Sequence, residues 1–277
     1  MSPETLSLAG KTALVTGSGR ETGIGAAIAR ALARNGASVA IHYVSESSKS
    51  RAERVAASIE KDFGTKTTVV HGSVDNYDTA KKIVEDILKA FNVDHTDILA
   101  LTSRVNNGAT ASNTSLMDVT PEQLEQDFAV NVFGTIYMTQ AAVGVGRMPP
   151  GGRIINIGSI ISKVLRPPMA PPVYGVTKAA TDALTTLWAG ELGKSHGITV
   201  NTLAPGPVPT DIAREFLEND DGSPTDAARS MYEQTRAADR VGTAQDLADA
   251  TLLLVSEKSR WITAQYISVS GGITGTM

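Results

Sequence analysis

The sequence predicts an α/β protein built on one doubly wound parallel sheet with helices on both faces. Short β-type runs alternate with helical stretches along nearly the whole chain, and a glycine-rich turn joins the first strand to the first helix. The length of 277 residues suits one large domain. Alternation of this kind implies parallel strands joined by right-handed helical crossovers. We therefore predict a single domain over residues 1–277.

Each predicted strand is a short run rich in β-branched and aliphatic residues. The predicted strands are Thr12–Thr16, Ser38–Tyr43, Thr67–His71, Ile98–Leu101, Arg153–Ile157, Thr199–Ala204 and Tyr266–Val269. The predicted helices carry apolar residues three and four apart. They are Ala26–Asn35, Lys49–Phe63, Thr79–Phe91, Pro121–Ala142, Val173–His196 and Gln245–Ser256.

The composition excludes several functional classes. A net charge of −4 gives no indication of a nucleic-acid partner or an anionic membrane surface. The chain has no cysteine, so disulfides and a thiol nucleophile are excluded, and its four histidines lack the spacing of metal ligands. Met1–Leu6 has no signal pattern, and no apolar run approaches the roughly 20 residues of a membrane span. We expect a soluble cytoplasmic protein without a metal site.

The first turn has the composition of a phosphate-binding loop. Gly17, Gly23 and Gly25 lie between the strand Thr12–Thr16 and the helix that follows. Glycine lets the backbone approach a pyrophosphate, which then rests on the helix N-terminus. Any tight turn uses glycine, but a strand before the loop and a helix after it favour a Rossmann-like dinucleotide site.

A tyrosine and a lysine lie four residues apart near the start of the longest predicted helix. That spacing places Tyr174 and Lys178 on one helical face. A fixed cation lowers the pKa of a neighbouring phenol, which makes a tyrosine usable as a general acid or base. Ser159 follows the strand Arg153–Ile157, where an α/β sheet presents its chemistry. The alternative is an ordinary exposed helix pair.

Five motifs, taken in order, resemble the short-chain dehydrogenase/reductase family. They are Thr16-Gly17…Gly23-Ile24-Gly25, Asn106-Asn107-Gly108-Ala109, Asn131-Val132-Phe133-Gly134, Ser159…Tyr174…Lys178 and Pro205-Gly206…Thr210. The resemblance runs from about Leu8 to Gly272. It implies a Rossmann-like fold and an oxidoreductase that acts on a small-molecule carbonyl or alcohol with a nicotinamide cofactor.

The resemblance also implies roles for individual residues. Tyr174 would give a proton to a carbonyl oxygen that Ser159 orients, while Lys178 would assist Tyr174 and hold the cofactor ribose. Asn131 would anchor a water molecule that links Lys178 to solvent, and without the resemblance it would be a helix-kink or capping amide. The expected cofactor-binding residues are Gly17, Ser18, Arg20, Gly23, Ile24, Gly25, Ser45, Ser73, Val74, Asn107, Tyr174, Lys178, Val208 and Thr210.

The end of the second strand favours NADP over NAD. An NAD site of this type carries an acidic residue there, whereas Ile41–Ser45 contains neither Asp nor Glu. Hydroxyls of Ser45 and Ser47 could bind a 2′-phosphate, and in the family a basic residue near the place of Arg20 accompanies NADP. Glu46 opposes this interpretation, and the serines could instead form a polar loop and helix cap.

Four departures from the family pattern lie near the predicted site. The glycine loop is two residues longer, and Ser73 replaces the usual acidic residue after the third strand. Residues 100–104 contain an apparent insertion, and the interval from Ser159 to Tyr174 is longer and rich in proline. In the family this interval borders the substrate, and we expect a substrate lid at about residues 211–240, where Met231 and Tyr232 could line the pocket or simply pack.

The sequence leaves three functions open. The first is an NADPH-dependent reductase of a cyclic, aromatic or polyketide-like ketone, and the second is a 3-oxoacyl thioester reductase. The third is a non-catalytic nucleotide-binding or scaffold protein, which the presence of Asn131, Ser159, Tyr174 and Lys178 opposes.

Two predicted helices carry apolar residues around much of their circumference. They are Val173–His196 and the helix that begins at Pro121. A second apolar face on a surface helix needs a partner. Family members pair these two helices with their symmetry mates, so we predict a homotetramer or homodimer. The alternative is a monomer that covers this surface with its own loops.

Overall fold

Seven parallel strands form one sheet within the residues that the structure describes. The structure is a computed structural model and describes residues 6–102, 114–115, 117–164, 172–210, 217–219 and 221–274. The strands are β1 (Thr12–Val15), β2 (Ser38–Tyr43), β3 (Thr67–His71), β4 (Ile98–Leu101), β5 (Arg153–Ile157), β6 (Thr199–Pro205) and β7 (Tyr266–Val269). Their order is β3-β2-β1-β4-β5-β6-β7, which confirms the predicted doubly wound sheet.

The described helices lie between these strands. They are α1 (Ile24–Arg34), α2 (Lys49–Phe63), α3 (Tyr77–Phe91), α4 (Pro121–Val145), α5 (Pro172–His196), α6 (Asp226–Gln234) and α7 (Ala244–Val255). Helix α3 begins two residues before the predicted start at Thr79. The reason is that the side chain of Asn76 accepts a hydrogen bond from Thr79 N at 3.0 Å and caps the helix.

Alternate residues of each strand face opposite helix layers. Ala13 and Val15 of β1 belong to the core shared with α1, α2 and α7, whereas Leu14 belongs to the core shared with α3, α4 and α5. A parallel sheet covered on both faces buries nearly all of its side chains. The ends of the strands are therefore the places where the sheet can present groups to a ligand.

The strand order reverses between β1 and β4. These two strands are direct neighbours, with Leu14 paired to Leu99, although β2 and β3 lie between them in the sequence. In open α/β sheets, ligands bind outside the carboxyl ends of the strands at such a reversal. The glycine loop leaves β1 at this point, where Thr102 N donates to Thr16 Oγ1 at 2.9 Å.

Helix α4 is long and contains two π-helical segments, Ala129–Phe133 and Ala141–Val145. Within the described residues it is the single helix long and apolar enough to cross a bilayer, judged by length and composition alone. The sequence has no uninterrupted apolar run of that length here, because Asn131 and Thr135 interrupt a window whose mean hydropathy is 1.3. Of that window, 44% is buried inside the chain, and core helices of soluble proteins meet the same criterion.

A buried histidine in β2 holds the glycine loop. Gly17 N donates to His42 Nδ1 at 3.1 Å, so the opposite nitrogen, Nε2, carries the proton and donates to Gly72 O at 2.8 Å. Burial lowers the pKa of His42 from its ordinary 6.5 to about 4. The neutral ring therefore joins the start of the loop to the end of β3.

We predict that His42 makes the fold sensitive to acid. The unfolded chain takes up this proton near pH 6.5 and the folded chain only near pH 4. The free energy of unfolding therefore keeps its full value above pH 6.5 and decreases as the pH falls towards 4. Between pH 7 and pH 5 the free energy of unfolding should decrease by about 2 kcal/mol. Urea unfolding at several pH values will measure it.

Two variants separate His42 from the other titrating groups. His42→Gln keeps one acceptor and one donor but cannot titrate, so its stability should fall less than that of the wild type over the same range. His196→Gln alters an exposed ring and should follow the wild type. Equal pH slopes for His42→Gln and the wild type would contradict the prediction.

Candidate active site

Helix α5 carries both members of the predicted Tyr–Lys pair. Lys178 is buried, with 1% of its surface exposed, and its Nζ donates to the carbonyl oxygen of Ile157 at 2.8 Å. The same Nζ lies 5.6 Å from the centre of the Tyr174 ring. A buried ammonium next to a phenol is not an exposed helix pair, and its bond to Ile157 fixes α5 against the end of β5.

Ser159 lies just beyond the end of β5 and caps a short helical turn, Ile160–Ser162. Its Oγ accepts a hydrogen bond from Ile161 N at 3.2 Å, and the side chain is buried. Because the amide of Ile161 occupies one lone pair of the hydroxyl, the hydroxyl hydrogen points elsewhere and can be donated to a ligand oxygen.

Asn131 lies in the first π-helical segment of α4 and is fully buried. Its Nδ2 donates to Thr177 Oγ1 at 3.1 Å, which ties α4 to the residue preceding Lys178. Its Oδ1 has no hydrogen-bond partner in the described part of the chain. Asn131 thus combines a π-helical turn with an amide held in one direction. Such π-bulges are frequent at functional sites.

Two glycines of the loop lie where a Cβ would collide with the protein backbone. Gly17 has φ +60°, and a Cβ there would lie 2.8 Å from Thr102 O. A Cβ on Gly25 would lie 2.8 Å from Gly17 O, and Gly23 precedes α1 without a side-chain cap. The first amides of a helix have no partner within the helix, so an anion at the start of α1 can accept their hydrogen bonds.

The two additional residues of the loop bring charge with them. Glu21 accepts a hydrogen bond from Arg54 Nε of α2 at 2.8 Å, and Arg30 of α1 donates to the backbone oxygen of Glu21 at 3.0 Å. The Arg54 guanidinium lowers the pKa of Glu21. Arg20 is adjacent to Glu21 and half-buried. The longer loop is therefore attached to α2 and surrounded by guanidinium groups.

Ser18 and Ser45 occupy different environments. Ser18 is fully buried, and its Oγ donates to Val15 O at 2.7 Å and accepts from His42 N at 3.0 Å. Its hydroxyl therefore supports the loop, which leaves its backbone for a ligand. Ser45 is exposed at the end of β2, and its Oγ lies 3.1 Å and 2.9 Å from the hydroxyls of Ser47 and Ser48.

The remaining predicted cofactor residues follow β3 and β6. After β3, Ser73 is half-buried and Val74 is buried. Val74 packs against Gly134 of α4 so closely that a Cβ on Gly134 would lie 2.7 Å from Val74 Cγ2. Val208 and Thr210 are both buried, and Thr210 N donates to Val208 O at 2.8 Å. Ile24 is the first residue of α1.

Several predicted segments lie outside the described residues. They are Asn107 with its motif, the proline-rich interval 165–171, and residues 211–216 and 220 of the expected lid. Of the described lid residues, Met231 and Tyr232 of α6 pack against Leu217, Ala228 and Val241. These contacts agree with the alternative that Met231 and Tyr232 pack within the protein.

Two residues that support the site, His42 and Thr177, were not predicted from the sequence. A histidine inside the apolar run Ser38–Tyr43 was a usable signal for His42, because a buried imidazole needs hydrogen-bond partners. Thr177 gave none, because its bond to Asn131 joins two helices distant in the sequence. In the described part of the chain, no cluster of His, Asp and Glu side chains could hold a metal ion.

The chain is similar to known oxidoreductases over almost all of its length. A family model described as enoyl-(acyl carrier protein) reductase matches residues 17–274. The short-chain dehydrogenase/reductase FrzI of a Cladobotryum species is 38% identical over 96% of this chain and 97% of its own. Versicolorin reductase 1 of Aspergillus parasiticus is 33% identical over 96% of this chain and 97% of its own.

The solved structures agree with these relatives. The angucycline C-6 ketoreductase LanV with bound NADP superposes with a TM-score of 0.79 at 33% identity, over 96% of each chain. The matching family model and the near-complete alignment with relatives above 30% identity show that this chain belongs to the short-chain dehydrogenase/reductase family.

Proposed function

We propose that the chain reduces a ketone to a secondary alcohol with NADPH, on a cyclic, aromatic or polyketide-like substrate. The observation that carries this proposal is the buried ammonium of Lys178, held between Ile157 O and the ring of Tyr174 beside Ser159. The resemblance to a versicolorin reductase and to an angucycline ketoreductase supports the substrate class.

The residues around the strand ends fit NADP(H). Gly17, Gly23 and Gly25 let the loop backbone lie close to the start of α1, where a pyrophosphate would bind. No acidic residue follows β2 before Glu46, and Arg20 belongs to a loop already surrounded by cations. The similar ketoreductase LanV binds NADP.

In the proposed mechanism, NADPH when bound supplies a hydride to the carbonyl carbon. The Ser159 hydroxyl donates a hydrogen bond to the carbonyl oxygen and fixes its position. The Tyr174 hydroxyl gives that oxygen its proton, and the ammonium of Lys178 stabilises the phenolate that remains. Asn131, whose buried Oδ1 is available as an acceptor, would hold a water molecule that returns the proton.

A substrate screen tests this function directly. NADPH oxidation is followed with cyclic and aromatic ketones, quinones, acetoacetyl thioesters and, because of the description of the family model, an enoyl thioester. The proposal expects turnover with ring ketones and not with the enoyl thioester. Preference for acetoacetyl thioesters would instead support the 3-oxoacyl reductase alternative.

We predict that Tyr174→Phe abolishes turnover and leaves NADPH binding intact. The variant lacks the proton donor, and loss of a general acid costs at least about 10²-fold in rate. Steady-state kinetics and NADPH fluorescence titration measure the two effects. Tyr232→Phe, which removes a hydroxyl from α6, is the matched control and should keep its activity. Appreciable ketone reduction by Tyr174→Phe would refute the assigned role.

We predict that NADP(H) binds more tightly than NAD(H) and that Arg20 contributes to the difference. A charge-assisted hydrogen bond to the 2′-phosphate is worth about 1.5–3 kcal/mol, so Arg20→Ala should raise the Kd for NADPH by about 10- to 100-fold and hardly change that for NADH. Arg34→Ala, at the far end of α1, is the control. Tighter binding of NADH by the wild type would contradict the prediction.

We also propose a homotetramer or homodimer formed through α4 and α5. These helices expose Leu124, Phe133, Val176 and Leu187, with 41%, 46%, 55% and 67% of their surfaces accessible. Ala183 and Gly190 lie exposed on the α5 side, so a second helix can approach closely. Such a face is complementary to itself in a closed symmetric assembly.

We predict a mass of two or four chains in light scattering at micromolar concentration. Leu187→Glu places a charge in the expected interface and should shift the mass towards one chain. Ala57→Glu places the same charge on the exposed face of α2 and should not. A wild-type mass near one chain would rule the assembly out. The single domain, the lid at residues 211–240 and the cytoplasmic location stay predictions.

A further inference from the structure

A polar network surrounds the backbone oxygen of Ser159. Ser162 Oγ lies 2.9 Å from the backbone oxygen of Ser159 and 2.6 Å from Asp182 Oδ2 of α5. The Tyr266 hydroxyl of β7 donates to the same backbone oxygen at 3.3 Å. The turn that carries Ser159 is thus attached both to the catalytic helix and to the last strand.

The attachments to α5 bracket Ser159 in the sequence. Lys178 holds Ile157, two residues before it, and Asp182 holds Ser162, three residues after it. Tyr174, Lys178 and Asp182 follow one another at intervals of four, so they share one face of α5. The distance between Ser159 and Tyr174 therefore depends on both attachments.

A proton on Asp182 allows both short contacts of Ser162 Oγ to be hydrogen bonds. Ser162 Oγ has one hydrogen, and the backbone oxygen of Ser159 can only accept. If Ser162 donates to Ser159, the short contact to Asp182 is a hydrogen bond only when the carboxyl is the donor. If Ser162 donates to Asp182, two oxygens face each other at 2.9 Å without a hydrogen between them.

The surroundings of Asp182 favour the neutral acid. Its surface is 9% exposed, and Oδ1 has no hydrogen-bond partner among the described residues, which an ionised carboxylate tolerates poorly. Burial raises the pKa of Asp182, although Ser162, Lys163 and Lys178 act in the opposite direction. Burial also raises the pKa of Tyr266 to about 12, so its phenol stays a donor.

A cavity of about 220 Å³ borders the network. Lys163, Asp182, Thr186 and Tyr266 line it, and Lys163 Nζ lies 5.4 Å from the centre of the Tyr266 ring. The ammonium of Lys163 is thus engaged with an aromatic ring, and no ion pair between it and Asp182 occurs in the part of the chain that the structure describes.

We propose that Asp182, carrying its proton at neutral pH, donates to Ser162, which in turn donates to the backbone of Ser159 and fixes the position of the catalytic serine. Asp182 and Ser162 are positioning residues that act through Ser159. This inference rests on the proposed ketone reduction for its kinetic test, but its structural test does not.

Three variants test the proposal. Asp182→Asn keeps a donor towards Ser162 and should retain turnover within about twofold, because the amide replaces the neutral acid. Asp182→Ala and Ser162→Ala break the chain, so kcat should fall about tenfold or more with KM and NADPH affinity unchanged. Thr186→Val changes the same cavity and removes only a long hydrogen bond to the backbone oxygen of Asp182, at 3.4 Å, so it should match the wild type.

Two readouts do not depend on activity. The infrared difference between wild type and Asp182→Asn at pH 7 should contain the carbonyl stretch of a protonated carboxyl. The unfolding temperature of Asp182→Asn should equal that of the wild type, while that of Asp182→Ala should fall. A carboxylate band in place of the carboxyl band, or an Asp182→Asn variant as impaired as Asp182→Ala, would overturn the proposal even if no ketone is reduced.

Discussion

The site depends on one buried charge, the ammonium of Lys178. A buried ammonium needs hydrogen-bond partners, and the backbone oxygen of Ile157 supplies one at 2.8 Å. This bond fixes the turn of α5 that bears Tyr174 against the end of β5, where Ser159 begins the next turn. Lys178 therefore does two things. It positions α5, and it places its Nζ 5.6 Å from the centre of the Tyr174 ring. A neutral residue of the same size would give the phenol no cation.

The nucleotide side has a comparable constraint without charge. The neutral ring of His42 accepts from Gly17 and donates to Gly72, so it joins the loops that follow β1 and β3. Gly17 can adopt φ +60° and lie against Thr102 only because it lacks a Cβ. Its amide is thereby used by the protein, which leaves the later amides at the start of α1 for a phosphate. The first residue of the loop is thus held by His42, and the amides at the start of α1 have no side-chain cap.

The sequence was sufficient to predict the strands of the sheet and the relative placement of residues within one helix. Strand bounds follow from short apolar runs, and the spacing of Tyr174 and Lys178 follows from the helical period. Contacts between distant segments were not predictable in this way. His42 has no metal-ligand spacing that would single it out in the sequence, and the π-helical turn at Asn131 has no local signature. The segments expected to border the substrate, 165–171 and 211–216, lie outside the described residues.

The side of α5 that faces the sheet shows why these long-range contacts matter. Thr177, Thr181 and Thr185 form a buried ridge, and each hydroxyl donates to a carbonyl of the preceding turn. Thr177 also accepts from Asn131 at 3.1 Å and Thr185 from Asn156 at 2.8 Å. Leucines there would bury more apolar surface but would allow the helix to slide or rotate, because packing has no preferred direction. Short, β-branched hydroxyl residues instead bring the helix close and fix its register with directional bonds. The polar core thus gives up hydrophobic stabilisation and keeps the catalytic groups in a single relative position.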